Sequence, residues 1–332
     1  MTAPLVVKLG SMLVAPGGQP DQALLRAVAR SLAPERPVCV VSSGAIALGS
    51  VSAGFAKRPQ SLPSLQAASA LGQAELQRAW HEAFLAAGVN AAQVLLTGAE
   101  IAERRSYVNI RNALQELFRL GAVPVLNEND ATATDEISFG DNDILAAQIA
   151  VLLRARRLIL LTSVDGVLDG DEVITDGAAA RDAVFGRPSS LGRGGIGSKV
   201  SAAELAAAGG VATVIASPTA LDALLHGGEA GTRFEPRRSR ESAYKLWLRH
   251  GKRVVATLEV DDGAGRAIRD RGSLLAVGVV AWTADFRAGD GVDVALPSGD
   301  VIARGICSVD AAALAGRPSA VEVIHRDHLV LI

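Results

Sequence analysis

The stretch Ala122-Val-Pro-Val-Leu126, followed directly by Asn127-Glu-Asn-Asp130, decides the fold class of this chain. The apolar run predicts a buried strand, and the polar residues after it place acids and amides where that strand ends. A second polar cluster, Asp141-Asn-Asp143, follows after a short interval. Because ligands bind at the carboxyl ends of strands in open α/β sheets, the two clusters predict a binding site. The alternative is a solvated turn, since Asn and Asp are also common turn residues.

Apolar runs and helical periodicity alternate on both sides of this strand. The predicted strands cover residues 5–9, 38–42, 92–97, 122–126, 157–162 and 211–216. The predicted helices cover residues 21–32, 64–87, 108–120, 144–153 and 199–208. Several of the strands are apolar throughout, which is typical of parallel strands covered on both faces. The pattern predicts an α/β fold with a mostly parallel open sheet sandwiched by helices.

The pattern changes near residue 235, where a charged segment with a proline begins. From residue 251 onward, short runs of alternating apolar residues are separated by glycine-bearing turns, which predicts a small β-barrel-like domain. The predicted organisation is a catalytic domain over residues 1–235, a linker over 236–250 and the β-rich domain over 251–332.

The composition limits the class of protein. Of the 332 residues, 49% are hydrophobic and 20% are charged, so the chain can build sizeable cores and disorder is not expected. The net charge of −2 provides no overall basic field for nucleic acid. There is no apolar stretch of membrane-spanning length and no secretory leader pattern. Cys39 and Cys307 lie in apolar runs and are expected to be buried free thiols, so a cytoplasmic protein is predicted.

Three segments could contact phosphate. Lys8 ends the first strand beside Gly10-Ser11, although a lone lysine at a strand end is commonly just solvated. Ser42-Ser-Gly-Ala45 follows the second strand and could either bind an anion or simply cap a helix. Gly192-Arg-Gly-Gly-Ile-Gly-Ser-Lys199 opens a helix, and its glycines, hydroxyl and lysine resemble the parts of a phosphate-binding loop.

Two lysines from distant parts of the chain suit phosphoryl transfer, because they can offset the charge of the migrating group. The acids at residues 127–143 then have two open roles. They could hold a metal ion, or they could orient the lysines and bind a cationic group of a substrate. The five histidines show no spacing typical of metal ligands.

The motifs that match a known family occur in one order along nearly the whole chain. They are Val6-Val-Lys-Leu-Gly10, Ser42-Ser-Gly-Ala-Ile-Ala47, Ala70-Leu-Gly-Gln73, Gln93-Val-Leu-Leu-Thr97, Val125-Leu-Asn-Glu-Asn-Asp130, Phe139-Gly-Asp-Asn-Asp143, Gly194-Gly-Ile-Gly-Ser-Lys199, Phe286-Arg-Ala-Gly-Asp290 and Ile324-His-Arg-Asp-His-Leu-Val-Leu331. With these motifs the chain resembles the glutamate 5-kinases of the amino-acid kinase superfamily, which carry a C-terminal PUA domain. The acid–amide motifs are the specific part, because other kinases of the superfamily share the lysine elements.

The resemblance implies an ATP-dependent phosphorylation of L-glutamate to L-glutamyl 5-phosphate, the first step of proline biosynthesis, with Mg²⁺ carried by the nucleotide. It implies that Lys8 and Lys199 flank the migrating group and that Asp143 orients them. The implied glutamate-binding residues are Ser43, Gly44, Asp130, Asp141 and Asn142. The implied nucleotide-binding residues are Lys8, Gly10, Ser11, Thr162, Ser163, Arg193, Gly194, Gly195, Ile196, Gly197, Ser198 and Lys199.

The chain departs from the family pattern in three respects. First, Ser163 and Leu168 stand where the family usually has an acid and a tyrosine. Second, residues 168–187 are abbreviated, and third, so are residues 314–321. Nucleotide contacts near Ser163 and a binding role of the tail are therefore in question.

Two alternatives remain at this point. A relative of the same fold could phosphorylate acetylglutamate, aspartate, carbamate or UMP. The tail and its basic linker could instead bind RNA, but the acids of the tail favour a solvated linker. The resemblance also implies a homo-oligomer, either a dimer or a tetramer, and feedback inhibition by proline. The sequence alone decides neither property.

Overall fold

The computed structural model describes residues 2–132, 142–185, 195–237, 243–250, 252, 254–314, 318 and 321–332. The chain forms two compact units, Met1–Ala243 and Tyr244–Ile332. The domain limits at residues 235 and 251, which come from the change of sequence pattern, stay a prediction. Residues 243–250, which fall in the predicted linker, form a helix.

The strands are β1 (Leu5–Leu9), β2 (Val38–Ser42), β3 (Ala91–Leu96), β4 (Val123–Glu128), β5 (Arg157–Leu161), β6 (Val167–Asp169), β7 (Glu172–Ile174), β8 (Thr213–Ala216), β9 (Thr232–Phe234), β10 (Val254–Val260), β11 (Leu274–Leu275), β12 (Val279–Trp282), β13 (Gly291–Ala295), β14 (Val301–Ile306), β15 (Glu322–Ile324) and β16 (Leu329–Leu331). The helices are α1 (Ser11–Val14), α2 (Gln22–Leu32), α3 (Ala45–Ser52), α4 (Leu62–Ala86), α5 (Gly98–Ala102), α6 (Arg104–Arg119), α7 (Asn142–Leu153), α8 (Gly177–Phe185), α9 (Gly195–Ala208), α10 (Leu221–Leu225), α11 (Ala243–His250) and α12 (Asp262–Arg269).

A seven-stranded sheet in the order β3-β4-β2-β1-β5-β8-β9 forms the centre of the first unit. All neighbouring pairs are parallel except β8 and β9, so the predicted mostly parallel sheet is confirmed. Strand β1 lies in the middle, where Lys8 is level with Val41 of β2 and Leu160 of β5. The carboxyl ends of four strands therefore meet around Lys8.

Alternation along β1 divides its side chains between the two faces of the sheet. Leu5, Val7 and Leu9 join a core with residues of α2, α3 and α4, including Leu25 and Trp80. Helices α7 and α9 pack against each other and against strands on the other face. Lys8 points to that second face, where it meets α7.

Helices α3 and α4 cross at two glycines. A Cβ atom on Gly49 would lie 1.7 Å from the carbonyl oxygen of Ala68, and one on Gly72 would lie 1.9 Å from that of Ala45. No larger residue fits such a backbone approach. The crossing fixes the start of α3, which follows β2 at the edge of the sheet where ligands bind in such folds.

Several elements differ from the sequence-based expectations. Strand β4 runs on through Asn127 and Glu128, which pair with β3 and are not part of a turn. Helix α7 already includes Asn142 and Asp143, and α9 begins at Gly195, four residues before the predicted start at Lys199. Strand β9 and the β6–β7 hairpin were not predicted, because three-residue strands carry no usable period.

The second unit contains a five-stranded sheet, β12-β10-β13-β14-β16, and the small pair β11 and β15. Its core includes Leu258, Val292, Val294 and Ile324. Both cysteines are buried and free, as predicted. Within the described part of the chain, no helix has the length and apolarity needed to cross a membrane.

Candidate active site

A cavity of about 950 Å³ opens at the carboxyl ends of β1, β2, β4 and β5. Its predicted lining residues are Lys8, Gly10, Ser11, Ser43, Gly44, Asp130, Asn142, Asp143, Thr162, Ser163, Gly195, Ile196, Ser198 and Lys199. Residues that were not predicted also line it, among them Ser50, Phe55, Lys57 and Arg58 near the connection between α3 and α4. The structure thus brings together segments from across the first unit.

Four other predicted residues remain, of which the structure describes only one. Gly197 is buried inside α9 and is absent from the cavity wall. Asp141, Arg193 and Gly194 lie outside the described residues.

One carboxylate joins the two predicted lysines. Asp143 Oδ1 lies 2.6 Å from Lys8 Nζ, and Asp143 Oδ2 lies 2.9 Å from Lys199 Nζ. Ser198 Oγ is a further, weaker donor to Oδ2 at 3.4 Å. The three charged side chains come from β1, α7 and α9, and each is at most 9% exposed.

The charges of this cluster do not cancel. Burial raises the pKa of Asp143, but the charges of Lys8 and Lys199 and their hydrogen bonds outweigh burial and hold the pKa below its ordinary value. Asp143 is therefore ionised at neutral pH, and two ammonium groups share one carboxylate. The excess positive charge lies in a largely buried place, where it attracts an anion more strongly than in water.

A ladder of amides supports Ser43. The backbone N–H of Glu128 donates to Asn127 Oδ1 at 2.9 Å and to Asn142 Oδ1 at 3.2 Å, which identifies the oxygen of each amide. Asn142 Nδ2 then donates to Asn127 Oδ1 at 2.9 Å and to Ser43 Oγ at 3.0 Å. Because Ser43 Oγ accepts from Asn142, its own hydroxyl hydrogen is left to donate to a ligand in the cavity.

Asp130 has one occupied oxygen and one open oxygen. Oδ2 accepts from Ser69 Oγ at 2.8 Å, whereas Oδ1 is buried and has no hydrogen-bond partner among the described residues. Burial raises the pKa of Asp130, and the hydrogen bond from Ser69 and the positive charge of Arg58 only partly offset this. A buried carboxylate oxygen without a partner is costly unless a ligand supplies one.

Helix α4 contributes residues that were not among the predicted site residues. Ser69 contacts Asp130, Gln73 accepts from Asn127 Nδ2 at 2.7 Å, and Trp80 donates to Ser42 Oγ at 2.8 Å. Ser69, Gly72 and Gln73 share one face of the helix. The sequence signal that could have identified these residues was the occurrence of polar side chains on an otherwise buried face of the helix.

Gly44 makes the turn from β2 into α3. Its φ of +124° is rarely adopted by residues with a side chain, and an added Cβ would lie 3.2 Å from Val14 Cγ1. The turn therefore needs glycine, and it leaves the first residues of α3 facing the cavity.

The described residues contain no group of three or more His, Cys, Asp or Glu side chains that could hold a metal ion. Both oxygens of the buried carboxylate of Asp143 are already paired with the two lysines.

Comparisons with known proteins identify the family of this chain. The model of the amino acid kinase family matches residues 3–217, and that of the PUA domain matches residues 256–326. Glutamate 5-kinase of Frankia casuarinae is 39% identical over 357 residues, covering 99% of this chain and 96% of the relative. Glutamate 5-kinase of Pseudomonas paraeruginosa is 42% identical over 322 residues, covering 88% of this chain and 87% of the relative.

A solved structure of Giardia carbamate kinase is similar in fold, with a TM-score of 0.53 at 16% identity. The match covers 71% of this chain and 99% of that one. The family match over most of the first unit and the relatives at about 40% identity lead to one conclusion. The chain belongs to the amino acid kinase family and, within it, to the glutamate 5-kinases.

Proposed function

We propose that this chain transfers the γ-phosphoryl group of ATP to the side-chain carboxylate of L-glutamate, giving L-glutamyl 5-phosphate and ADP, the first step of proline biosynthesis. The observation that carries the proposal is one cavity that is lined by two unlike groups. In the first group, Lys8 and Lys199 share Asp143 and leave excess positive charge for a phosphoryl group. In the second, Asp130 presents a buried carboxylate oxygen that needs a cationic partner.

The phosphoryl transfer needs no general base. The acceptor is a carboxylate, which is ionised at neutral pH and can attack phosphorus directly. The work of the protein is then to position the reactants and to offset the charge on the migrating group. Lys8 and Lys199 serve this second purpose, and Asp143 keeps both ammonium groups in place.

The acceptor is recognised at its α-carbon end. Asp130 Oδ1 accepts from the α-ammonium group, and the hydroxyl of Ser43 donates to a carboxylate oxygen of the substrate. Asn142 acts by holding Ser43 as an acceptor. This arrangement favours an amino acid with a free α-amino group over its acetylated form.

The nucleotide occupies the remaining wall of the cavity, lined by Gly10, Ser11, Thr162, Ser163 and the first turns of α9. An added Cβ on Gly10 would lie 3.8 Å from Lys8 Nζ, so the glycine keeps the space beside the lysine open for phosphate. Mg²⁺ fits the site as an ion held by the phosphate oxygens of the nucleotide, where it neutralises part of their charge.

Trapping of the acyl phosphate tests the proposal. The protein is incubated with ATP, Mg²⁺, L-glutamate and hydroxylamine, and we expect a glutamyl hydroxamate that depends on all of the first three. ADP release with N-acetylglutamate, aspartate, carbamate and UMP should be far slower. ADP release without hydroxamate from glutamate, or a faster reaction with one of the other acceptors, would reject glutamate as the substrate.

Three further properties belong to the same proposal: a cytoplasmic location, a homo-oligomer (dimer or tetramer), and inhibition by L-proline. Membership of the glutamate 5-kinases supports them. Light scattering coupled to size exclusion measures the assembly, and a titration of the hydroxamate assay with L-proline measures the inhibition.

A further inference from the structure

We infer that Ser69 is a positioning residue that aims Asp130 at the α-ammonium group of the acceptor and so sets the affinity for an amino acid substrate. The inference rests on the proposed function and assigns a role to helix α4, which carries none of the reacting groups.

The contact is direct and enclosed. Ser69 Oγ lies 2.8 Å from Asp130 Oδ2, and the two residues are 3% and 4% exposed. With Oδ2 held by the hydroxyl, the carboxylate cannot rotate freely about its Cβ–Cγ bond. Oδ1 therefore stays in one place, where it has no partner among the described residues and can receive a ligand.

The backbone that carries Ser69 is rigid. One turn later, Gly72 packs against the carbonyl oxygen of Ala45 in α3, so closely that no Cβ would fit. The next residue, Gln73, accepts a hydrogen bond from Asn127 of the strand that leads to Asp130. The position of the Ser69 hydroxyl is thus set by a helix crossing and by a second contact to β4.

The hydroxyl of Ser69 also has an electrostatic role, because it helps to keep Asp130 ionised. Burial raises the pKa of Asp130, while the Ser69 hydrogen bond and the charge of Arg58 lower it. Lys57 and the Lys8–Asp143–Lys199 cluster line the same cavity. Of these neighbours, Ser69 alone is shown in direct contact with the carboxylate, and it stabilises the ionised form that attracts an ammonium group.

The test is Ser69→Ala in the full chain, assayed by hydroxamate formation. We expect the KM for glutamate to rise about tenfold, the loss expected for a weak charge-assisted hydrogen bond, while kcat stays within about twofold. The KM for ATP should stay unchanged. The acidic limb of kcat/KM for glutamate should move to higher pH, because the pKa of Asp130 rises when the hydroxyl is removed.

A double-mutant cycle with Asp130→Asn separates positioning from general packing. If Ser69 acts through Asp130, then Ser69→Ala adds no further loss of kcat/KM in the Asp130→Asn background. Ser64→Ala is the matched control, since Ser64 lies on the same helix and the partner of its hydroxyl among the described residues is the exposed Ser61. Its kinetics should equal those of the wild type.

Three results would overturn the inference: unchanged glutamate KM in Ser69→Ala, an equal loss in both backgrounds, or a parallel loss of ATP affinity. These results are distinct from failure of the proposed function. If wild-type protein forms no hydroxamate, the proposed function fails first; if it does and Ser69→Ala matches it, only the role of Ser69 fails.

Discussion

Asp143 Oδ1 lies 2.6 Å from Nζ of Lys8, and both side chains are almost fully buried. This ion pair connects the second residue of helix α7 to the central strand of the sheet. The second carboxylate oxygen ties the same residue to Lys199 of α9. One side chain therefore sets the positions of two cations that are far apart in the sequence.

The substitution Asp143→Asn should separate these cations. We expect kcat to fall about 100-fold, as for loss of one preorganised charge-stabilising group. The unfolding free energy should fall by about 3 kcal/mol, because the two lysines stay buried without their counter-charge. Steady-state hydroxamate assays measure the first effect, and urea unfolding measures the second.

Asp182→Asn is the control for Asp143→Asn. Asp182 pairs with Arg181 at 2.8 Å, but its side chain is 69% exposed, and exposed pairs add little stability. Its kinetics and unfolding should match the wild type. A fully active Asp143→Asn variant would contradict the role given to the carboxylate.

Lys8→Ala and Lys199→Ala should each lower kcat by about 100- to 1,000-fold, because each removes one positive charge from the phosphoryl site. The KM for glutamate should change much less, since Asp130 recognises the other end of the acceptor. The measurement is initial hydroxamate rate as a function of glutamate and of ATP in separate titrations.

Lys252→Ala is a suitable comparison for the lysine variants. Lys252 lies in the second unit, with its ammonium group 5.8 Å from the ring centroid of Trp247. Its removal should leave both kinetic constants unchanged. Wild-type turnover in both Lys8→Ala and Lys199→Ala would reject the proposed phosphoryl site.

The pH dependence of glutamate use should report Asp130. Burial raises the pKa of this carboxyl above its ordinary value. Only the ionised form attracts an ammonium group, so kcat/KM for glutamate should fall as the pH decreases through the raised pKa. That fall should begin at a higher pH than a carboxyl with the ordinary pKa of about 3.9 would give.

Asp130→Asn should leave only the acidic limb that the side-chain carboxylate of the substrate causes, and it should lower kcat/KM at neutral pH by about 10- to 100-fold, the value of one charge-assisted hydrogen bond. The stability effect has the opposite sign. A raised carboxyl pKa means that folding is opposed at neutral pH by the cost of the buried charge. The neutral amide avoids that cost, so the unfolding free energy at pH 7 should not decrease.

The sequence was sufficient for the limits of two strands that carry the site, β1 and β2. Their apolar runs stop at Gly10 and at Ser43-Gly44, and these residues mark where each strand ends. Both strands have the predicted limits. Lys8, Asp143 and Lys199 were predicted as one group, and the structure places them in contact.

The sequence contains the polar residues of α4, but their contact partners could not be predicted from local pattern. Ser69 and Gln73 reach Asp130 and Asn127 only because α3 and α4 cross at Gly49 and Gly72. Such a crossing is a tertiary event between residues far apart in the chain. The start of α9 was missed for a related reason, since Gly195 and Gly197 have low helix propensity and packing overrides it.

The glycine crossing supplies the last prediction. In Gly49→Ala, the new methyl group would lie 1.7 Å from the carbonyl oxygen of Ala68 and 2.7 Å from the backbone nitrogen of Gly72. Backbone atoms cannot move aside as a flexible side chain can, so the helices must separate. We expect a loss of unfolding free energy of about 3 kcal/mol or more, the upper end of overpacking effects, measured by urea unfolding.

Gly98→Ala provides the matched control, because Gly98 is also helical and an added Cβ there meets nothing within 4 Å. It should be neutral or stabilising by up to about 1 kcal/mol, since alanine favours helix more than glycine does. Separation of α3 and α4 also displaces Ser69 from Asp130, so any folded Gly49→Ala protein should show a raised glutamate KM. If Gly49→Ala were as stable as Gly98→Ala and kept the wild-type KM, the close crossing would not be what holds the acceptor end of the site.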